Sequence, residues 1–189
     1  MTRLMTRCLV VALVGIAVPI IASTVDAQAV SSVSLDASVG AGKGWSGGEY
    51  VGNRSGLAVD ALLGFRLRSI GREGLMVGFS GGIQGTGESS TVCRPALDGS
   101  CVPSFPDFYT LSALAGWESG RGILRVMLGP AFVQASGEGH ALGVQGRLDL
   151  AAPFTSHIGV VASIRPTVVP SYRGDTLKLL AFGIGLRLR

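Results

Sequence analysis

The chain has 189 residues, of which 47% are hydrophobic, 15% charged and 29 glycine, and its formal net charge is +4. A soluble globule of this hydrophobicity would carry a wet surface rich in lysine and glutamate, and this chain holds only Lys43 and Lys178 as lysines. The positive excess is mild and lacks the concentrated basic stripe with interleaved aromatics that nucleic-acid binding needs, so no nucleic-acid partner is expected.

At the start of the chain Arg3 and Arg7 precede an apolar run from Cys8 to Val18, and Ala27-Gln28-Ala29 offers small residues on either side of a cleavage point. This predicts a removable signal peptide over 1–29 and one mature domain over 30–189. The apolar stretch ends near Ala22 and is short for a spanning helix. Cys8 precedes the apolar core, so no lipid-accepting cysteine stands at the cleavage point.

From Val33 the sequence alternates. Val33, Leu35, Ala37, Val39 and Ala41 fall on one face, and Ser34, Asp36, Ser38 and Gly40 on the other, before a polar, Gly-rich loop from Lys43 to Tyr50. A second segment carries Leu57, Val59, Ala61, Leu63, Phe65 and Leu67 against Asp60, Gly64, Arg66 and Arg68. The turn from Ile70 to Gly74 leads to a third, with Val77, Phe79 and Ile83 against Gly78, Ser80, Gly82 and Gln84. The stretch from Gly85 to Asp107 has no regular period and is read as one long loop. A fourth segment sets Tyr109, Leu111, Ala113, Ala115 and Trp117 against Thr110, Ser112, Gly116 and Glu118, and a fifth sets Leu124, Val126, Leu128 and Phe132 against Arg125, Gly129 and Ala131. Three more follow. Leu142, Val144, Leu148 and Leu150 oppose Gln145, Arg147 and Asp149; Ile158, Val160, Ala162, Ile164 and Val168 oppose Gly159, Ser163, Arg165 and Thr167; Leu180 to Leu188 alternates with Ala181, Gly183, Gly185 and Arg187.

A two-residue period repeated an even number of times behind an export signal predicts an all-β, eight-stranded antiparallel up-and-down transmembrane β-barrel. The segments approach the roughly 9–11 residues that a tilted strand needs to cross a bilayer. Connection lengths agree: long loops follow the first and third segments, and short ones follow the second, fourth and sixth, as when short turns and both termini share the periplasmic side. Trp45, Tyr50, Tyr109 and Tyr172 fall near the outer strand ends and Trp117 and Phe154 near the inner ends, where amphipathic rings favour the membrane boundary. A soluble periplasmic lipocalin-like barrel would show the same alternation with its oily face inward.

Taken together, the alternation over nearly all of the mature chain resembles the small eight-stranded outer-membrane β-barrel proteins of Gram-negative bacteria, the OmpA/OmpX-like barrel superfamily. The resemblance implies residence in the outer membrane. The chain departs from that superfamily's usual aromatic final residue, ending Leu186-Arg187-Leu188-Arg189 with Phe182 the nearest aromatic.

In this register Asp36, Asp60, Glu118 and Asp149 project inward with Arg66, Arg68, Arg125, Arg147, Arg165 and Arg187. An eight-stranded barrel is filled by its own side chains, so these groups are expected to neutralise one another as a structural plug. Arg147 and Asp149, two apart on one face, are the simplest local pair. Cys93 and Cys101 are separated by seven residues that include Pro95 and Gly99, a spacing that predicts a disulfide tying the outer loop. Two thiolates without a nearby histidine make an incomplete metal site, and no cofactor motif is present. Ser136, Glu138 and His140 crowd one outer corner, but two glycines there indicate a turn, and His157 lies at the opposite end. The expected function is structural or surface-interacting, without enzymatic activity. Outer-membrane lipid surrounds a monomer, and an extracellular ligand or protein is met at the loops, above all 85–107 with Arg94, Asp98 and Ser104 to Pro106. The alternatives are a narrow ion or small-solute conduit, an outer-leaflet lipid A acyl hydrolase and the periplasmic lipocalin-like barrel.

Overall fold

A computed structural model of the protein describes residues 30–45, 55–67, 74–85, 93–95, 101–103, 107–135, 139–172 and 174–189. The strands are β1 (Val30–Trp45), β2 (Ser55–Leu67), β3 (Gly74–Gly85), β4 (Cys93–Pro95), β5 (Cys101–Pro103), β6 (Asp107–Glu118), β7 (Leu124–Ala135), β8 (His140–Pro153), β9 (Ile158–Tyr172) and β10 (Asp175–Leu188). Eight of them close into one antiparallel barrel in the order β1-β10-β9-β8-β7-β6-β3-β2. Each strand pairs with its sequence neighbours once the β4–β5 hairpin is set aside, which makes the topology up-and-down. Closure is made by β1 and β10, in register from Leu35 opposite Leu188 to Trp45 opposite Lys178. A closed ladder leaves no edge, so backbone N–H and C=O groups find partners without water.

Burial follows the two-residue period with the usual signs reversed. Along β9 buried and exposed positions alternate almost without interruption. Leu142, Ile184, Leu57 and Leu128 are 74%, 66%, 65% and 62% exposed, whereas Asp36, Arg125 and Asp149 are 0% exposed. The barrel's charged side chains are therefore buried in the lumen, together with apolar ones, while aliphatic side chains coat the outside. A lipocalin-like barrel requires the opposite assignment, with its charges outward.

Proline shapes two of the strands. Pro166 in β9 pairs with Leu180 of β10, but the ladder between β8 and β9 skips Gly146 and Arg147, where Pro166 has no N–H to give. Gly146 makes room there: a Cβ on it would come within 3.2 Å of Pro166 Cγ. Pro130 in β7 acts alike. It pairs with Val144 of β8, while the β6–β7 ladder omits Ala113 and Leu114.

Four differences from the sequence reading have physical causes. The stretch 85–107 is not wholly irregular, since β4 and β5 form a three-residue hairpin, too short for a period to register. Residues Lys43 to Trp45, read as loop, extend β1 because they pair with β10. Phe65 has outward parity yet is 6% exposed, lying in register between Val33 and Val77. Tyr172 is not a girdle residue: it points into the barrel and meets Phe108 edge-on, ring centroids 6.0 Å apart. Trp45, Tyr109 and Trp117 are half-buried and Phe154 is exposed, while Tyr50 lies outside the described residues.

Candidate functional site

The lumen is divided. Connections 46–54, 86–106, 136–139 and 173–174 share one end of the barrel, the loop end. The other end carries connections 68–73, 119–123 and 154–157 together with Val30 and Arg189. The half near the termini holds a cross-barrel charge network beside a small apolar cluster, and the half near the loops holds a larger apolar cluster.

Asp36 of β1 organises the first part of the network. Arg125 Nη1 of β7 donates to its Oδ2 at 2.8 Å, and Arg187 of β10 donates through Nε to Oδ1 and Nη2 to Oδ2, both at 2.9 Å. Arg125 Nη2 also reaches Ser34 Oγ at 2.8 Å and Glu118 Oε1 at 2.9 Å. Gly64 leaves the space this arginine uses, since a Cβ there would approach Ser34 Oγ and Met76 Cε to 2.9 Å and Arg125 Nη1 to 3.5 Å. Arg187 continues to Asp149 Oδ2 at 3.1 Å and to the Gly122 carbonyl at 3.0 Å.

Asp60 of β2 organises the second part. Arg147 Nη1 donates to both its oxygens, at 2.6 and 3.0 Å, while Arg147 Nε donates to Asp149 at 2.8 and 3.0 Å. Arg165 Nη1 meets Asp60 Oδ1 at 3.0 Å, and Ser80 Oγ donates to the same oxygen at 3.0 Å. Arg66 lies 3.7 Å from Glu118, nearer the rim. Among the described residues, Asp36, Asp60, Glu118 and Asp149 thus face Arg125, Arg147, Arg165 and Arg187, all of them buried, so the interior charge is closely balanced. Donors still exceed acceptors: Arg125 Nε, Arg147 Nη2, Arg165 Nε and Nη2, and Gln84 Nε2 have no hydrogen-bond partner among the described residues.

The structure therefore brings Asp36, Asp60, Arg66, Arg125, Arg147, Asp149, Arg165 and Arg187 into one connected set, with the Arg147–Asp149 contact one link among several. Sequence reasoning missed Arg189, whose Nη2 reaches Glu118 Oε1 at 3.2 Å and the Gly122 carbonyl at 3.1 Å. Arg189 has the same parity as Arg187, so carrying the alternation one step further along the chain would have found it. It also missed the apolar lumen. Leu62, Met76, Leu114 and Met127 pack together on the β2, β3, β6 and β7 side. Phe108, Ala131, Val133, Ala135, Val169, Tyr172, Leu177 and Leu179 close the loop end.

Other candidate residues stand apart. His140 stacks on Phe132 at 5.3 Å on the outer surface, and Ser136 and Glu138 lie outside the described residues. His157 is in the connection at the opposite end. Cys93 pairs in register with Pro103, and Cys101 with Pro95. The side chains of both cysteines lie outside the description, as do residues 1–29, Arg68, Asp98 and the segment 104–106.

No protein-family model and no curated protein matches the chain. Among solved structures, Ail, the attachment invasion locus protein of Yersinia pestis, in complex with the heparin analogue sucrose octasulfate, is similar at 14% identity and a TM-score of 0.47. That match covers 83% of this chain and 99% of Ail. Neisserial surface protein A (NspA) is similar at 12% identity and a TM-score of 0.49, covering 82% of this chain and 96% of its own.

Proposed function

We propose that this chain is an outer-membrane β-barrel, exported by a signal peptide over 1–29, whose lumen is a structural plug and whose contacts with other molecules are made by its loop end. The observation that carries the proposal is the inverted burial: an aliphatic exterior around a lumen that buries paired Asp, Glu and Arg. Exposed Leu, Ile, Val and Phe coating a whole closed barrel would aggregate in water and are matched by hydrocarbon. The short connections and both termini would lie in the periplasm, and 46–54 and 86–106 would face the exterior as the surfaces open to an extracellular ligand or protein. A Cys93–Cys101 disulfide would order the second of these. The barrel would work as a monomer, surrounded by lipid, without a cofactor and without a reaction of its own.

A conduit is disfavoured because the charge network and the apolar cluster occupy successive halves of the lumen. An acyl hydrolase is disfavoured because His140 is engaged with Phe132 and His157 is at the far end. The test is heat-modifiable gel migration of the membrane fraction. A folded species that shifts on boiling and sediments with outer membranes is expected, and a chain that stays soluble after cell breakage with no shift would overturn the proposal. Discrete conductance in planar bilayers would overturn the plugged lumen alone.

A further inference from the structure

At the end that carries the termini, two turns and the last residue of the chain enclose a shallow cleft. Gly122, with a left-handed φ of 64°, closes the first turn, and Ser119 Oγ accepts from Ile123 N and Leu124 N at 3.1 Å each. In the second, Thr155 Oγ1 accepts from His157 N at 3.2 Å and Ile158 N at 3.0 Å. Backbone bonds join the parts: Ala151 N donates to Ile123 O at 2.7 Å, and Arg189 N to His157 O at 2.9 Å. The walls are thus set by hydrogen bonds and do not depend on a ligand.

The cleft is rich in basic side chains. Arg121, Arg187, Arg189 and His157 line it with Thr155 and Ser156, and no Asp or Glu is among its lining residues. Arg187 is already held by Asp36, Asp149 and Glu118, and Arg189 is partly balanced from beneath by Glu118 at 3.2 Å. Arg121 is exposed and has no ion-pair partner among the described residues. The cleft's volume of about 20 Å³ has room for little more than one water-sized oxygen, which suits a group that presents single oxygens. Phe154, Leu188, Ile158 and Ile123, at 70%, 47%, 44% and 41% exposure, adjoin the cleft along the chain. A basic recess beside exposed apolar side chains at the strand ends has the chemistry of a lipid headgroup site.

We propose that this cleft binds the phosphate of an anionic phospholipid in the leaflet nearer the termini, with Arg121 and Arg189 pairing its oxygens and Phe154 and Ile123 beside its acyl chains. The proposal rests on the membrane placement above. It is tested with the whole mature barrel folded in detergent, given equal amounts of phosphatidylglycerol and phosphatidylethanolamine, with retained lipid counted by native mass spectrometry. Retention of phosphatidylglycerol in preference is expected. Arg121→Gln, in an exposed turn outside the lumen network, should lower that retention about five-fold, as expected for one arginine near an anionic lipid surface. Lys178→Gln, exposed at the opposite end, should leave it unchanged. Equal retention by Arg121→Gln and the parent, or an equal loss with Lys178→Gln, would overturn the site. Displacement of the lipid by glycerol phosphate at equimolar concentration would overturn its assignment to lipid. Heat-modifiable migration of each variant separates the two proposals: a barrel that folds in micelles and ignores phosphatidylglycerol loses only the cleft, whereas a chain that never enters membranes loses both.

Discussion

The two halves of the lumen solve one packing problem with different chemistry. Near the termini, guanidiniums and carboxylates cross the barrel and contact partners as far apart in sequence as Asp36 and Arg187. Near the loops, Phe108, Tyr172 and aliphatic neighbours fill the same cross-section without a charge. The first half is directional, since each arginine fixes the relative height of two or three strands. The second is tolerant, because dispersion contacts adjust when a side chain shifts. The comparison teaches that the charges specify register while the apolar cluster contributes density, a division consistent with the use of buried ionic groups for specificity more than for net stability.

Removing one anion from the charged half should have the largest effect. Among the described residues, Asp60→Ala leaves Arg147 with Asp149 as its remaining ion-pair partner, and leaves Arg165 without its ion pair. Stranding a buried charge in this way costs on the order of 3–5 kcal/mol. Urea titration of the barrel in detergent, followed by the folded-form gel shift, should show a midpoint far below that of the parent; an unchanged midpoint would sink the claim that the network holds the strands.

The apolar half is probed by Phe108→Ala. The ring is 1% exposed and packs against Tyr172, so truncation should cost roughly 3–5 kcal/mol at most, and less where the cluster relaxes into the space. The informative contrast is Phe108→Leu against Asp60→Asn. Both nearly preserve volume, and only the second removes charge. If the halves differ as described, Phe108→Leu should fall under about 1.5 kcal/mol and Asp60→Asn well above it, read from the same titration.

Outside the lumen, Leu128 lies mid-strand at 62% exposure. Leu128→Arg should cost about 2–4 kcal/mol if the residue sits at the bilayer midplane, and near nothing if water covers it. Folding into vesicles from urea measures this directly. The same substitution at Gln134, an exposed loop-end position on the same strand and face, is the matched control.

These positions also show what the sequence could and could not reveal. Asp36, Arg125, Arg147 and Asp149 were legible because a charge within an alternating run marks its face without ambiguity. Leu62, Met76, Leu114 and Met127 were not. Each follows or precedes residues that are apolar on the outer face too, as in Leu62-Leu63, and hydrophobicity alone cannot tell lumen from lipid. Tyr172 misled for a related reason, since an amphipathic ring near a strand end suits either the boundary or a lumen mouth. The cross-barrel partners were hidden as well. Parity gives a face, but which arginine meets which carboxylate depends on strand stagger, which is fixed only when β1 closes on β10.

The smallest effect is expected at the loop end, where the hairpin of β4 and β5 stands apart from the ladder. Its register sets Cys93 opposite Pro103 and Cys101 opposite Pro95, so the cysteines are diagonal neighbours. Diagonal positions in an antiparallel pair lie about 7–8 Å apart, slightly beyond the usual Cα span of a disulfide. The proposed bridge would draw Cys93 opposite Cys101 and tighten the hairpin while the barrel strands stay in place. Closing a loop of this size is worth about 2–3 kcal/mol to the loop in the chain-entropy model. Denatured, unreduced protein should resist thiol alkylation at both cysteines, and reduction should speed proteolysis within 86–106 while leaving the barrel's urea midpoint where it was. Alkylation without reduction would remove the bridge, and a midpoint that moved with reduction would mean that the loop and the apolar mouth of the lumen are one cooperative unit.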